Sequence, residues 1–454
     1  MSEHVNETKR RRGRTPETPE RSRPSDGARV VALDALLRIE DGAYAHVVVP
    51  AMLGQSNLSD RDRAFATQLV YGTVRAQRRI DDLLARVVKR PIARLDPPVR
   101  AALRLGAYQL LHDTPPHAAV ASTVDAVGAR SPRARGFVNA NLRALTRLPQ
   151  PFPEPESDAV ALSYPDWLVD RLRTELGSDA ARAALVAMNE PAAVTLRPDP
   201  RQVTVDALTD ELRASGAEVD PGALVRDAVV VRGIGDPARL PAVRDGRATP
   251  QDQGSQAVVV ALAPAPGERV ADLAAAPGGK ATAIAERVGT EGSVVALDVD
   301  AGRVRMIDGA RHRIGLPHLF PVIGDGRCAP LREGAFDRVL LDAPCSGIGV
   351  LRRRPDARWR LEPDAIEQLA TLQRELLAAA APLVRPGGVL AYSVCTLTTE
   401  ETVGVDEWAA ANLPDLLPVA PPGAPWTAHG RGALLLPQAA GTDGMFVLVL
   451  RRAG

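Results

Sequence analysis

Cysteine, lysine and long apolar runs are all scarce in this chain of 454 residues. Its three cysteines, Cys328, Cys345 and Cys395, cannot all pair. That excludes a disulfide framework and fits a reducing, cytosolic setting. No apolar run approaches the roughly 18 residues that a membrane span needs. The N-terminus lacks the apolar segment of a signal peptide, so a cytoplasmic protein without membrane contact is expected. The dinucleotide fingerprint G-x-G-x-x-G and the phosphate loop G-x-x-x-x-G-K-[ST] are both missing, which argues against nicotinamide and nucleoside triphosphate sites. Lysine occurs only at positions 9, 89 and 280, and no internal repeat is visible.

What is present is ordinary in bulk and uneven in detail. An apolar fraction of 45% and a charged fraction of 24% suit a globular protein of two to four domains. The net charge of +1 hides an asymmetry. Between Arg61 and Gln150 sixteen Lys and Arg stand against six Asp and no Glu, a local excess of ten positive charges. The summed field of such a segment attracts a polyanion or forms a solvated basic surface.

Residues 1–27 are polar, proline-rich and basic, with Lys9-Arg10-Arg11-Arg12 inside, and are expected to form a disordered tail. From 28 to 150 apolar residues recur at helical spacing, as in Leu69, Val70, Val74, Ile80, Leu83 and Leu84, and prolines punctuate them. An all-helical bundle follows. Pro149, Pro151, Pro153 and Pro155 mark a linker. Residues 156–250 mix helical stretches with the short apolar runs Val194-Thr195-Leu196 and Val229-Val230-Val231, which predicts a small α+β module. From 251 to 454 the pattern becomes βαβ, with strands expected at 270–273, 293–297, 319–323, 337–341, 389–394 and, antiparallel, 445–450.

In an open parallel sheet, ligands bind beyond the carboxyl ends of the strands. Asp272, Asp298, Asp325 and Asp342 all fall there. Ala274-Ala275-Ala276-Pro277-Gly278-Gly279-Lys280 forms a strand-to-helix turn whose glycines admit a ligand close to the backbone. Asp298 lies at the spacing that suits a ribose diol, and Asp325 suits an adenine amino group. The set favours S-adenosylmethionine as cofactor.

Two cysteines also sit at strand ends, in Asp342-Ala343-Pro344-Cys345-Ser346-Gly347 and in Ser393-Val394-Cys395-Thr396. A methyl donor needs a thiol when the acceptor is carbon 5 of cytosine, a poor nucleophile until a thiolate adds to carbon 6. Asp342 is placed to stabilise charge developing at ring nitrogen 3. Arg352-Arg353-Arg354, Arg358, Trp359 and Arg360 follow the Cys345 loop and are expected to clamp phosphates.

Taken together, D-L-A-A-A-P-G-G-K-A-T (272–282), L-D-A-P-C-S-G-I-G-V-L-R-R-R-P-D (341–356) and Y-S-V-C-T (392–396) resemble the RsmB-type (Sun/Fmu) ribosomal RNA cytosine-5 methyltransferases. R-L-G-A-Y-Q-L-L (104–111) and G-F-V-N-A-N-L-R (136–143) are similar to the NusB-type RNA-binding domain that this family carries in front. The resemblance implies a NusB-like bundle, a small α+β module and a Rossmann-like methyltransferase domain. It also implies a monomer that needs no metal and acts on RNA, small-subunit ribosomal RNA above all. Cys395 is then the nucleophile, Cys345 assists in product release, and Ala274 to Lys280, Asp298, Asp325 and Asp342 contact the cofactor. Cys328 matches no motif. Val394 stands where the family usually has threonine, so any hydroxyl role there falls to Ser393 or Thr396.

Three alternatives stay open at this point. DNA cytosine methyltransferases use the proline-cysteine motif as nucleophile, which would make Cys345 the attacking thiol. The same chemistry could act on transfer RNA. A non-catalytic NusB-like RNA-binding or antitermination factor would have no use for paired thiols.

Overall fold

The computed structural model describes residues 24–112 and 114–454. The expected tail lies outside the described residues as far as residue 23; helix begins at Pro24. Seven helices form the first unit: α1 (Pro24–Glu40), α2 (Ala45–Gln55), α3 (Asp60–Arg75), α4 (Gln77–Ala85), α5 (Pro97–Leu111), α6 (Pro116–Gly128) and α7 (Arg135–Leu145). The prolines read as punctuation open α5 and α6, where a missing N–H costs nothing. Ser59 caps α3 by accepting the Asp62 N–H. Helices α3 and α5 touch closely because Gly72 has no side chain: a Cβ there would stand 2.1 Å from the Tyr108 ring. One core of Leu33, Leu69, Ile80, Leu83, Leu103, Leu105 and Leu142 holds the bundle together.

Three helices follow, α8 (Asp158–Ala161), α9 (Asp166–Leu176) and α10 (Ser178–Ala187). Their apolar residues Tyr164, Leu168, Leu172, Leu185 and Met188 are buried in the same core as the large sheet described below. A separate small sheet comes next, from β1 (Val194–Pro198), α11 (Val205–Ala214), β2 (Glu218–Pro221), β3 (Val229–Arg232), α12 (Pro241–Arg244) and β4 (Ala248–Pro250). Its antiparallel order is β2-β3-β1-β4, over a core containing Leu196, Leu208, Leu212, Val229 and Val231.

The third unit contains α13 (Gln253–Leu262), β5 (Arg269–Asp272), α14 (Gly279–Val288), β6 (Ser293–Asp298), α15 (Ala301–Ile314), β7 (Leu319–Ile323) and β8 (Phe336–Asp342). It continues with α16 (Pro363–Ala380), β9 (Val384–Val394), α17 (Val403–Asn412), β10 (Leu416–Pro418), β11 (Thr427–His429), β12 (Gly432–Leu435), α18 (Pro437–Ala440) and β13 (Met445–Arg452). Strand order is β11-β12-β13-β9-β8-β5-β6-β7, with β10 also on β13. Strands β5 to β9 are parallel, and β13 runs antiparallel to β9, as expected. The chain leaves the centre through β6 and β7, then returns to β8 beside β5. That reversal opens a crevice at the strand ends. Apolar residues cover both faces of the sheet.

Element bounds depart from expectation in instructive places. The helix expected from Thr399 starts at Val403, because residues 395–402 stay in a loop whose polar groups are committed elsewhere. Helix α13 and the short strands β10 to β12 were not anticipated. Among the described residues, no helix is long and apolar enough to cross a membrane.

Candidate functional site

The register of β8 and β9 brings the two cysteine loops together. Asp342, the last residue of β8, pairs with Ser393, and in the loops that follow the two strands the thiols of Cys345 and Cys395 meet, Sγ to Sγ 3.3 Å apart. Ala343 N–H bonds Ser393 O at 2.9 Å, and Gly349 N–H bonds Cys395 O at 2.9 Å. The loops are therefore zipped through their backbones on either side of the sulfurs.

Asp342 is the charged centre beside them. Lys280 Nζ donates to its Oδ2 at 2.7 Å, and Ser393 Oγ donates to its Oδ1 at 2.7 Å. Burial alone would depress the Lys280 ammonium, but Asp342 outweighs it, and the nearby Cys395 adds to the rise. Its hydrogen bond with Cys395, followed by burial, pushes the Cys345 thiol well above its usual range. The Cys345 thiol is thereby held in its protonated form at rest, and the Lys280 charge lies near Cys395.

Val394 is fully buried in the core. Ser393 orients Asp342, and Thr396 bonds Ser346 at 2.6 Å.

The turn from Ala274 to Lys280 wraps the end of β5. Ala275 N–H bonds Leu297 O at 2.9 Å, and Gly278 adopts a φ of +104° with Ile307 Cα 3.3 Å from where a Cβ would be. Asp298 is buried, accepting the Ala276 N–H at 3.2 Å and the Asp300 N–H at 3.1 Å. Asp272 was not assigned a role from the sequence. It is 1% exposed, its Oδ1 has no hydrogen-bond partner, and burial, then Asp342, lift its pKa to about 8. A buried carboxyl oxygen without a donor is costly unless something arrives to bond it. The ammonium of S-adenosylmethionine is such a donor, and Asp298 beside the glycine turn suits its ribose. The residues present thus fit that cofactor.

Asp325 stands apart. Its carboxylate holds the guanidinium of Arg327 at 2.7 Å and accepts the Arg327 N–H at 2.9 Å, so an adenine amino group would compete with that pair. Cys328 is exposed in the turn after β7 and takes no part in the thiol pair.

The arginines after the Cys345 loop do not form a free phosphate clamp. Arg358 is wholly buried, stacked on Tyr164 with its guanidinium carbon 3.8 Å from the ring centroid, and it donates to Ser163 O and Asn189 Oδ1. Trp359 donates to Val74 O at 2.9 Å, and Arg360 reaches the carbonyls of Ile39, Gly42 and Ala43. Arg352 donates to Gly441 O, and Arg353 pairs with Asp252 and Asp443. Only Arg354 of the six is exposed. The physical reason is that the carbonyls of these helix ends and turns need donors, and a guanidinium supplies several at once.

Arg197 of the small sheet is another residue the sequence did not disclose. It is buried, forks onto Glu286 of α14 at 2.7 and 2.9 Å, and donates to Gly279 O at 2.9 Å. The small sheet is thereby fastened to the glycine turn.

Three family descriptions match consecutive parts of the chain. The NusB family covers residues 26–147, a ferredoxin-like domain of RsmF/B-like methyltransferases covers 164–236, and 16S rRNA methyltransferase RsmB/F covers 259–451. The Mycobacterium tuberculosis (strain ATCC 25618 / H37Rv) protein Rv1407 is 39% identical over 95% of this chain and 98% of its own. The probable ribosomal RNA small subunit methyltransferase B of Bacillus subtilis (strain 168) is 34% identical over 94% and 99%. The crystal structure of PH0851 aligns with a TM-score of 0.83 at 28% identity, covering 95% of this chain and 99% of that one. The thiol pair at the ends of β8 and β9, the glycine turn after β5 and the helical unit in front thus occur in one chain, of whose full-length relatives the Bacillus subtilis protein carries that name. The chain belongs to the RsmB/F family of 16S rRNA methyltransferases.

Proposed function

We propose that this protein methylates carbon 5 of a cytosine in small-subunit ribosomal RNA through a covalent adduct between Cys395 and carbon 6 of the base. The observation that carries the reading is the 3.3 Å contact of Cys345 and Cys395 beside the Lys280–Asp342 pair. When bound, S-adenosylmethionine supplies an electrophilic methyl group. The Cys395 thiolate adds to carbon 6, and a proton from the Lys280–Asp342 pair settles at ring nitrogen 3, so that carbon 5 becomes nucleophilic. After transfer, the carbon 5 proton must leave. Its bonding electrons rebuild the ring double bond, and the Cys395 sulfur departs with the pair from carbon 6. Cys345, in contact with that sulfur, takes the carbon 5 proton once it has lost its own to solvent, and the proton on ring nitrogen 3 returns to the Lys280–Asp342 pair.

The helical unit and the small sheet are the proposed holders of the RNA, with residues 251–454 performing the chemistry. Part of the basic excess is spent internally, as Arg100 and Arg104 pair with Glu40 and Asp81. Arg61, Lys89, Arg90, Arg94, Arg133 and Arg147 are exposed and carry no ion pair among the described residues, which leaves them for phosphates.

The test is transfer of labelled methyl groups from S-adenosylmethionine to small-subunit ribosomal RNA lacking the modification, followed by digestion to nucleosides. Label in 5-methylcytidine is expected. Label in any other nucleoside, or none in the RNA, sinks the reading. Bisulfite sequencing of ribosomal RNA from a deletion strain then identifies the cytosine that loses its mark.

A further inference from the structure

Below the two sulfurs lies a buried polar network that the reaction does not directly use. At its centre is Glu401, 0% exposed, in the loop between Cys395 and α17. Each carboxylate oxygen accepts two hydrogen bonds. Oε1 takes the Ser346 N–H at 2.8 Å and Gln373 Nε2 at 3.0 Å. Oε2 takes Ser346 Oγ at 2.5 Å and Thr398 Oγ1 at 2.8 Å. Because the single Ser346 hydroxyl proton goes to Glu401, the Thr396 hydroxyl is the donor in its 2.6 Å bond to Ser346. Gln373 also donates to Pro344 O at 2.9 Å, and Tyr392 OH donates to Glu401 O at 2.7 Å.

The two partners that matter are the residues directly after the thiols. Ser346 follows Cys345, Thr396 follows Cys395, and Glu401 gathers both, Thr396 through Ser346. The two loops are not equally dependent on it. Cys395 directly follows β9, whose Val394 pairs with Phe446 in the sheet. Cys345 lies three residues beyond the end of β8, and its neighbours Pro344 and Ser346 are tethered through Gln373 and Glu401. Removing the carboxylate frees mainly the Cys345 side.

We propose that Glu401 is a positioning residue that holds Cys345 against Cys395, and that its loss impairs the step served by Cys345 more than attack by Cys395. Only a carboxylate presents four acceptor sites and no donor, as the four donors here require. A glutamine in its place turns an N–H against a donor, and an alanine leaves the Ser346 N–H buried and unpaired. The part concerning product release rests on the function proposed above; the geometric part does not.

The experiment compares full-length wild type with Glu401→Gln, Glu401→Ala and Cys345→Ala in two assays. In the first, each protein is incubated with small-subunit ribosomal RNA and S-adenosylmethionine, and denaturant-stable protein–RNA adduct is measured on gels. Both Glu401 variants should accumulate adduct at least about fivefold above wild type, approaching Cys345→Ala, with turnover falling in parallel. General destabilisation lowers adduct and turnover together and cannot give this pattern. In the second assay RNA is omitted and the protein is treated with diamide, which takes two electrons and two protons from a pair of thiols to form a disulfide. Wild type should close Cys345 to Cys395, seen by peptide mapping, at least about tenfold faster than Glu401→Gln. Equal closure rates overturn the proposal, whatever the RNA assay shows. Slower closure while Cys345→Ala accumulates no adduct supports the positioning role and removes the function on which the release step depends. Adduct in Cys345→Ala but not in the Glu401 variants overturns the link to release.

Discussion

The guanidinium of Arg358 lies flat over the ring of Tyr164, 3.8 Å from its centroid, with both side chains sealed from solvent. Arg358 comes from the segment after Cys345, Tyr164 from the helices in front of the small sheet, and Trp359 beside it enters the core of the helical bundle. One stretch of nine residues, Arg352 to Arg360, therefore ties the thiol loop to the bundle. Burial lowers the Arg358 pKa to about 10, still well above neutrality, so it remains charged there. Arg358→Ala removes a cation–π contact and the hydrogen bonds of a charged donor to Ser163 O, Asn189 Oδ1 and, at 3.5 Å, Arg75 O, a loss of about 2–4 kcal/mol. Arg358→Lys should recover little of it, since an ammonium cannot reproduce the planar stacking fork. Urea unfolding of the two variants checks both statements. A midpoint unchanged in Arg358→Ala would show that the interface does not depend on this residue.

Asp272 predicts a pH dependence of definite sign. Its pKa rises from 3.8 to about 8 on folding, with burial as the main cause. Between those values the folded chain binds a proton that the unfolded chain does not. Its contribution to stability is therefore present at low pH and is lost as pH rises through about 8. Cofactor binding has the opposite preference, because an arriving ammonium favours the ionised carboxylate. Binding near pH 7 should release about one proton, and affinity should increase with pH up to about 8. Calorimetry in buffers of different ionisation enthalpy measures that release. Asp272→Asn should abolish it, and proton release persisting in this variant would assign the effect to another group.

The legible part of this site was the part held by short-range pattern. Cys345, Asp342, Lys280 and Cys395 each come after an apolar run that became a strand, and the structure brings their side chains together at the strand ends. Helix Ala301–Ile314 and strand Leu319–Ile323 have the bounds that periodicity gives. Ser346, Gln373 and Glu401 were not legible, because their meaning lies in contacts 28 to 55 residues apart between common polar types. The arginine run was misread for a related reason. A basic stretch beside a motif has the look of a solvated surface, and only Trp359 inside it hinted at burial. Whether a guanidinium faces phosphate or a neighbouring helix end is decided by tertiary placement, which no local pattern encodes.

Arg197 predicts communication between the small sheet and the cofactor turn. Its fork onto Glu286 is almost fully buried, and the same guanidinium reaches Gly279 O and Thr282 Oγ1. Removing one partner of such a pair strands the other charge, so Arg197→Ala should cost about 3–5 kcal/mol of stability. The glycine turn loses a tether as well. Affinity for S-adenosylmethionine, measured by calorimetry at a temperature where the variant remains folded, should fall about tenfold. Replacing the pair together, as Arg197→Met with Glu286→Leu, should restore stability more than affinity, because the contact to Gly279 O stays absent. Full recovery of affinity in the double variant would show that the turn needs only packing from the small sheet.

The two thiols make the sharpest prediction, because loss of one and loss of the other should move the RNA adduct in opposite directions. Cys395 lies near the Lys280 charge, whereas Cys345 is held in its protonated form by Cys395 and by burial. Cys395→Ala should therefore abolish both methyl transfer and the RNA adduct. Cys345→Ala should retain attack and trap the product, so adduct accumulates while turnover drops by about a hundredfold, the scale on which a positioned acid or base acts. Lys280→Ala should weaken attack itself, lowering adduct in the Cys345→Ala background. Denaturing gels of labelled RNA read all three outcomes. Adduct that persists in Cys395→Ala and vanishes in Cys345→Ala would exchange the roles of the sulfurs and place the nucleophile on the loop after β8.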